Sequence, residues 1–235
     1  MGTLEVAGVL DEAVGDCGGG RMVVVEDCVE TGGAFVVHYL LKRSLSASDA
    51  AVVFVAFAQP LAHYDRILRR MGCNLDAYRD RKRFQFFDVF SAADGLLDDI
   101  VLQLYGKIHG TVESFAGERP VVVIIDDISV MEIDANEALV LDFLKSCCSL
   151  SPQFGCSLVA LIHGDVYSSM DQPSLLLQLE YMADVVVKVE PLATGLAADV
   201  HGQLTVSKKR NRAHDMQFRI KDSGVELFYP GTKGC

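Results

Sequence analysis

Residues 26–34, which read EDCVETGGA, carry the side chains whose types and spacing could bind a nucleotide phosphate. They follow an apolar run near residues 22–25 and precede a helical pattern. A phosphate-binding loop occupies the same position and ends in Gly-Lys-Ser/Thr, where the lysine contacts the β- and γ-phosphates and the hydroxyl ligates magnesium. Here those three positions are Gly32, Gly33 and Ala34, so both groups are missing.

The loop is also acidic. Glu26, Asp27 and Glu30 are expected to place three carboxylates where a polyphosphate would lie, which opposes phosphate binding unless a metal or another charge screens them. Backbone N–H groups at the helix start could still bind an anion. The alternative interpretation is a strand-to-helix turn with glycines for close packing. The residues of this degenerate phosphate loop are Asp27, Glu30, Thr31, Gly32, Gly33 and Ala34.

Two further positions test for nucleotide chemistry. Residues 119–129 read RPVVVIIDDIS, an apolar run ending in Asp126 and Asp127; this form is typical of a Walker B strand, whose carboxylate holds magnesium. A helix cap or turn would need the same residue types. After the apolar run 51–57, the position of a water-activating glutamate is Gln59, and an amide cannot accept a proton near pH 7.

The chain alternates between strand and helix patterns over most of its length. Apolar, β-branched runs near 22–25, 51–57, 84–87, 121–125 and 157–162 are separated by helical stretches near 32–45, 61–71, 92–113, 133–149 and 172–182. Strands apolar on both faces indicate a parallel sheet covered by helices. Four strand-like segments follow, near 184–189, 202–207, 215–221 and 225–228, and Lys221–Gly224 is a turn signal.

The predicted fold is therefore α/β and RecA-like: a mostly parallel sheet flanked by helices, with a C-terminal antiparallel edge. Residues 1–20 end in DCGGG and are expected to be a flexible N-terminal segment. Residues 21–235 are expected to form a single domain.

Composition limits the functions that remain. Half of the residues are hydrophobic, and the net charge is −11. Because so acidic a chain repels nucleic acid, a nucleic-acid role must rest on a local basic patch or on partners. No apolar stretch approaches the ~18 residues of a membrane span, and no membrane role is expected. The six histidines show no ligand spacing, so neither a metal site nor another cofactor is predicted.

The densest basic stretch is SKKRNRAH, residues 207–214, with cations at Lys208, Lys209, Arg210 and Arg212. Three interpretations remain open: a solvated hairpin loop, contact with a neighbouring subunit's acidic surface or nucleotide, and contact with RNA phosphates. A second basic run, RDRKR at 79–83, is interpreted as a surface connection.

Several longer stretches resemble one family, Elongator complex protein 6, and look nearest to its plant-type form. They are EDCVETGGAFVVHYLLKRSL, FVAFAQPLAHYDRILRRMGCNL, QFGCSLVALIHGDVYSSM and LEYMADVVVKVEPLATGLAADVHGQLTV. The resemblance implies a RecA-like subunit without intact Walker signatures, which forms a hetero-hexameric ring with Elongator subunits four and five. It also implies docking of the ring on the larger Elongator subunits, tRNA binding coupled to ATP, and residence in cytoplasm and nucleus.

By the same resemblance, the whole complex modifies C5 of the wobble uridine in tRNA anticodons, and the chemistry belongs to the acetyltransferase-like third subunit. The leading hypothesis is thus a non-catalytic ring subunit that supports tRNA binding. The first alternative is an active ATPase, alone or through a site shared at a subunit interface. The second is a purely architectural adaptor that binds protein and never RNA.

Overall fold

The structure is a computed structural model that describes residues 4–5, 10–11, 14, 19–46, 49–89, 97–134, 137–167, 175–193, 195, 199–209, 211–221 and 224–230. The strands are β1 (Leu4–Glu5), β2 (Met22–Asp27), β3 (Ala51–Ala56), β4 (Phe84–Asp88), β5 (Val121–Ile125), β6 (Ser157–His163), β7 (Val185–Glu190), β8 (Gly202–Lys208), β9 (Asn211–Lys221) and β10 (Gly224–Phe228). The α-helices are α1 (Ala34–Ser46), α2 (Leu61–Arg70), α3 (Leu75–Asp80), α4 (Leu97–Ser114), α5 (Ile128–Asp134), α6 (Glu137–Phe154) and α7 (Leu175–Met182). A 3-10 turn, Gly164–Tyr167, follows β6.

These strands form one sheet in the order β1-β10-β9-β8-β7-β2-β6-β5-β3-β4. Strands β7, β2, β6, β5, β3 and β4 pair in parallel. Strands β8, β9, β10 and β1 extend the sheet in antiparallel register. This is the predicted arrangement, a parallel centre with an antiparallel C-terminal wing.

Helices cover both faces of the parallel centre because its strands are apolar on both sides. Every residue of β3 and β5 is buried. One core cluster lies under α1, α2 and α3, and contains Leu40, Tyr64 and Leu75. The other lies under α4 to α7, and contains Ile108 and Leu144. Because successive side chains of a strand point to opposite faces of the sheet, alternate strand residues pack into opposite clusters.

Some elements differ from the sequence predictions. The short helix α3 was not predicted, although Asn74 marks its start: the Asn74 side chain accepts a hydrogen bond from the N–H of Asp76 at 3.1 Å. The helical stretch predicted near 133–149 is two helices, α5 and α6. Strand β9 begins at residue 211, earlier than predicted. The central residues of the predicted turn at 221–224 lie outside the described part.

The N-terminal segment contributes to the fold where it is described. Strand β1 pairs with β10, with Leu4 opposite Leu227 and Glu5 opposite Glu226. Leu10 and Val14 are buried in the cluster under α1. These contacts place parts of residues 1–20 against the domain, while the predicted flexibility of the segment stays a prediction.

The parallel strands give the sheet two distinct edges. We call the edge at which they end the carboxyl edge, and the edge at which they begin the amino edge. Asp27 ends β2, His163 ends β6, and Asp126 and Asp127 directly follow β5. Because β6 lies between β2 and β5 in the sheet, its last residue lies between the carboxylates of its neighbours.

Candidate functional site

The degenerate phosphate loop is a tight turn at the carboxyl edge. The N–H of Thr31 donates to the carbonyl of Cys28 at 3.0 Å, which closes a four-residue turn. At its tip Val29 and Glu30 are exposed, and the N–H of Val29 donates to Oδ2 of Asp165 at 3.0 Å. Thr31 is buried. The loop therefore folds on itself and on the segment after β6.

The N–H of Gly33, at the start of α1, is occupied by the chain's own carboxylate. It donates to Oδ2 of Asp27 at 2.5 Å. A helix N-terminus favours a negative charge at this place, where a P-loop would hold phosphate. Gly33 is also tightly enclosed, since an added Cβ would lie 3.0 Å from Cβ of Asp27 and 3.3 Å from side-chain carbons of Val25 and Val189. Gly32 and Ala34, by contrast, are exposed.

His163 joins the loop to the Walker B-like position. Its Nδ1 lies 2.5 Å from Oδ1 of Asp27, and its Nε2 lies 3.0 Å from Oδ2 of Asp127. Both carboxylates are buried. One imidazole thus bridges two carboxylates that come from strands on either side of its own.

The bridge controls the charge of the site. The hydrogen bonds to Asp127 and then to Asp27 raise the pKa of His163 to about 10, and outweigh its burial, which acts in the opposite direction. The imidazole is therefore a cation at neutral pH, with both N–H groups donating to carboxylates. A positive charge thus lies between the two carboxylates at this edge, and it is carried by an imidazolium ring rather than by a loop lysine.

Asp127 also caps the helix that follows it. Its Oδ1 accepts hydrogen bonds from the N–H groups of Ser129 at 2.8 Å and Val130 at 3.3 Å. The Ser129 hydroxyl in turn accepts from the backbone N–H of His163 at 2.9 Å. The Walker B-like carboxylate is thus used at both oxygens by the chain itself.

Asp126 points to the neighbouring strand β3. It accepts hydrogen bonds from the N–H groups of Phe57 at 2.7 Å and Ala58 at 3.1 Å, and from the hydroxyl of Tyr64. Burial raises the pKa of Asp126 to about 6, against the effect of these donors. Its role in the structure is to tie the end of β3 and helix α2 to the end of β5.

Other predicted residues lie apart from this bridge. Gln59 is exposed in the connection between β3 and α2, and Glu30 is exposed at the tip of the turn. The expectation that Glu26 joins the loop carboxylates is wrong, because Glu26 points to the opposite face of the sheet from Asp27. There it forms an ion pair with Lys188 at 2.9 Å, and Lys188 also contacts Glu180 at 2.5 Å. Burial raises the pKa of Glu26.

The side-chain oxygen and nitrogen atoms of Asp27, Asp127 and His163, which could in principle bind a metal, are already hydrogen-bonded within the protein. Within the described ranges, no group of three or more histidine, cysteine or acidic side chains is placed to hold a metal ion. Over the same ranges, no helix combines the length and the apolar character that crossing a bilayer requires.

The basic segment lies at the other edge of the sheet. Lys208 is opposite Val185, the first residue of β7, so the β8–β9 hairpin tip projects from the amino edge. A six-residue strand separates the two edges by about 20 Å. Part of the segment is strand and not loop, since Lys208 ends β8 and residue 212 lies in β9; Arg210 and the side chain of Arg212 lie outside the described part.

Lys209 is anchored at the hairpin tip. Its Nζ donates to the carbonyl of Met182 at 3.0 Å, and its backbone N–H contacts the carbonyl of Asp184 at 3.3 Å. The hairpin therefore packs against the end of α7 and the start of β7. The degenerate loop and the basic segment do not form one site.

Sequence reasoning missed His163. The search among histidines was for spacing along the chain, whereas His163 and Asp27 are 136 residues apart. A usable signal was present: Asp27, Asp127 and His163 each come at or directly after the end of an apolar run, and the carboxyl ends of parallel strands meet at one edge.

Comparison with known proteins identifies relatives over almost the whole chain. The model of the family described as Elongation complex protein 6 matches residues 4–99 and 97–222. Elongator complex protein 6 of Xenopus laevis is 27% identical over 236 residues, covering 87% of this chain and 89% of the relative. The Mus musculus protein of that name is 29% identical over 235 residues, covering 86% and 88%. The Homo sapiens protein is 27% identical over 248 residues, covering 90% and 91%.

Solved structures match at the level of the fold. A KaiC-like protein from Pyrococcus horikoshii superposes with a TM-score of 0.65 at 13% identity, covering 96% of this chain and 98% of that one. An uncharacterized protein from the same organism, solved with an unknown peptide, gives a TM-score of 0.70 at 15% identity, covering 95% and 97%. The predicted RecA-like α/β fold is confirmed.

Proposed function

The chain belongs to the Elongation complex protein 6 family, and we propose that it acts in Elongator as a non-catalytic subunit of a hetero-hexameric RecA-like ring. Its partners in this ring are Elongator subunits four and five, and the ring docks on the larger subunits. The ring binds tRNA and supports modification of C5 of the wobble uridine. We place this work in the cytoplasm, with the complex also present in the nucleus.

The observation that carries the non-catalytic role is the bridge between Asp27, His163 and Asp127. ATP hydrolysis at a P-loop needs free N–H groups for phosphate, a lysine and a magnesium ligand. In this chain the Gly33 N–H, the loop carboxylate and the Walker B-like carboxylate are hydrogen-bonded within the protein. A nucleotide would have to break these bonds and place its phosphates beside buried carboxylates, at a cost that the missing lysine would normally offset.

A steady-state ATPase assay on the purified chain tests this part of the proposal. We expect no turnover above background, with and without magnesium. Turnover near ~1 s⁻¹, within the ordinary range of enzymes, would favour the ATPase alternative instead. ATP binding is measured separately for the wild type and for His163→Gln, which removes the internal cation. Binding by the variant but not by the wild type would show that the bridge excludes nucleotide.

The ring and its RNA contacts are tested by co-expressing the chain with subunits four and five. Native mass measurement is expected to give a hexamer, and labelled tRNA to bind the hexamer better than the isolated chain, whose net charge is −11. Replacing Lys208, Lys209, Arg210 and Arg212 together by Ala should weaken tRNA binding by the ring. It should also flatten the slope of log affinity against log salt, because each phosphate contact releases counterions.

A ring that assembles with the four substitutions and keeps both the affinity and the salt slope of the wild type would assign the segment no RNA role. That result would favour the architectural alternative. If the chain forms no assembly with subunits four and five, the proposed role fails as a whole.

A further inference from the structure

A cluster of basic side chains lies on helices α2 and α3 and on the turn that leads from α3 to strand β4. Residues 65–83 contain seven arginine or lysine residues and three aspartates, a net charge of +4 in a chain whose net charge is −11. Two of the aspartates are paired within the cluster, since Arg69 contacts Asp65 and Asp76, each at 2.7 Å. The cluster is therefore a local positive region on an acidic protein, which is the type of surface that a polyanion can approach.

Arg81 and Lys82 form the tip of the turn between α3 and β4. Both side chains are exposed, and in the described part of the chain the ion pairs of the cluster involve other arginines and not these two. Arg83, the next residue, is half-buried and donates to the carbonyl of residue 50 at 2.9 Å. Because β4 begins where this turn ends, the two exposed cations lie at the amino edge.

Lys82 has a backbone conformation that usually belongs to glycine. Its φ is 55°, and within the described ranges it is the one residue other than glycine with a positive φ. The N–H of Lys82 donates to the carbonyl of Arg79, and the N–H of Arg83 donates to the carbonyl of Tyr78, both at 2.8 Å. These two bonds define a Schellman motif, whose left-handed residue is usually glycine because a side chain is strained there.

Helix α2 ends in the same motif and provides an internal comparison. Its left-handed residue is Gly72, with a φ of 80°, and the corresponding backbone hydrogen bonds are 3.0 and 2.8 Å long. The chain thus has glycine at one helix end and lysine at the other, although lysine costs stability at this position. A cation favours a helix C-terminus, but Arg79 in the last turn of α3 already supplies one. The Lys82 side chain is therefore explained by a charge needed at the surface and not by the fold.

The turn and the basic hairpin lie at the same edge of the sheet. Strand β4 is six strands from β8 in the order β8-β7-β2-β6-β5-β3-β4, which at about 4.8 Å per strand separates the two basic sites by roughly 30 Å. Arg21, which directly precedes β2, is a further exposed cation between them. One domain can contact a double-stranded RNA over about 16 base pairs, so the helical arm of a folded RNA is long enough to reach both sites.

We propose that Arg81 and Lys82 contact phosphates of the tRNA that the basic hairpin binds, so that two groups of cations along the amino edge hold one RNA. This inference rests on the proposed tRNA-binding function. It adds to that function a second contact, at the opposite side of the parallel centre from the hairpin.

The types of the exposed side chains favour RNA over a protein partner at this turn. The core of a protein interface is apolar and depleted of lysine, whereas nucleic-acid interfaces are polar and positively charged. In the described range 61–89 no large hydrophobic side chain is exposed. The carboxyl edge differs in this respect, since Val29 and Val166 are exposed there.

Lys82→Gly separates a structural role of the lysine from a contact with RNA. Because glycine relieves the left-handed strain, the urea midpoint of the Lys82→Gly chain should be higher than that of the wild type. The ring with this variant should nevertheless bind tRNA about fivefold more weakly at about 0.1 M salt, and the slope of log affinity against log salt should fall by about 0.7 to 0.9, as one lost phosphate contact requires. Combining Arg81→Gln with Lys82→Gln should lower the slope about twice as much.

The measurements use fluorescently labelled tRNA and rings assembled with subunits four and five, at four potassium chloride concentrations. Lys107→Gln is the matched control, because Lys107 is an exposed lysine in the middle of α4, away from both edges of the sheet. Its ring should keep the affinity and the salt slope of the wild type. Native mass measurement of each variant checks that the hexamer forms.

Wild-type affinity and salt slope in a ring that carries Arg81→Gln and Lys82→Gln would overturn the inference and leave the proposed function intact. So would an equal loss for Lys107→Gln, since that result would reflect net charge and not a contact site. A ring that no longer assembles with the two substitutions would make this turn a protein contact. A Lys82→Gly chain that is less stable than the wild type and binds tRNA equally well would make the lysine a structural residue. A wild-type ring that does not bind tRNA would refute the proposed function itself, and this inference with it.

Discussion

Replacing His163 by Gln removes the positive charge between Asp27 and Asp127 and should destabilise the fold. A tenfold difference in proton affinity between folded and unfolded states corresponds to about 1.4 kcal/mol. The rise in the pKa of His163 from 6.5 to about 10 therefore sets an upper limit of roughly 5 kcal/mol. Its side chain is 32% exposed, so solvent screens part of this interaction, and we expect a loss of about 2–3 kcal/mol at pH 7.

The pH dependence of this contribution has a definite sign. Because folding raises the pKa of His163, the stabilisation is complete below pH 6.5 and is lost as the pH rises towards about 10. Between pH 7 and pH 9 the free energy of unfolding of the wild type should fall by about 1–2 kcal/mol relative to His163→Gln. The difference between the two proteins removes the contribution of cysteines and other groups that titrate in both.

Urea unfolding followed by circular dichroism measures these free energies. His109→Gln is the matched control: the His109 side chain is 35% exposed and lies 3.8 Å from a single carboxylate, that of Glu113. Its substitution should cost less than about 1 kcal/mol. A double-mutant cycle with Asp27→Asn, which keeps an acceptor for the Gly33 N–H, should give a coupling free energy of about 1–3 kcal/mol. Equal stability of His163→Gln and wild type at pH 7, or zero coupling, would refute the assignment of a stabilising bridge.

Two further predictions use paired variants and the same unfolding assay. Gly33→Ala should destabilise the chain by about 1–3 kcal/mol because the added Cβ would crowd Asp27. Gly32→Ala should change stability by less than about 0.5 kcal/mol, because its added Cβ would meet nothing within 4 Å. A larger loss of stability for Gly32→Ala than for Gly33→Ala would contradict the packing argument. Arg83→Ala should cost about 2–3 kcal/mol, because its guanidinium donates to the carbonyls of residues 45 and 50 at 3.1 and 2.9 Å. The exposed Arg81, from the same basic run, should tolerate Ala within about 0.5 kcal/mol. A cost for Arg83→Ala as small as that for Arg81→Ala would show that the run acts only as a solvated surface.

The architecture was largely predictable because its signals are local in the chain. Runs such as residues 51–57 and 121–125 are apolar at every position, which only a strand covered on both faces allows. The stretches with helical periodicity between these runs connect each strand to the next by a crossover helix, and this order indicates a parallel sheet. The absence of the loop lysine and hydroxyl at Gly33 and Ala34 could also be recognised directly, since the motif fixes their place relative to the end of β2.

Elements that are too short or too highly charged to show a clear periodic pattern were predicted less well. Helix α3 is only six residues long, too short for a helical period to be recognised. For the basic segment 207–214, a solvated hairpin loop is one of the three interpretations that the sequence leaves open, and the two strands extend closer to the hairpin tip than a loop over these residues would allow. Pairing with β8 stabilises β9 there, with Asn211 opposite Lys208 and His214 opposite Val206. Strand propensity is a weak guide where cross-strand contacts decide.

The sequence alone thus determined the type and order of the elements, the family to which they belong and the loss of the nucleotide-binding groups. The tertiary structure decided which distant side chains meet: His163 lies between Asp27 and Asp127 because β6 lies between β2 and β5 in the sheet. It also decided that the basic hairpin lies at the amino edge, about 20 Å from the degenerate loop. The physical reason is that periodicity is set by neighbours along the chain, whereas strand order and the direction of each strand are set by how the whole core packs.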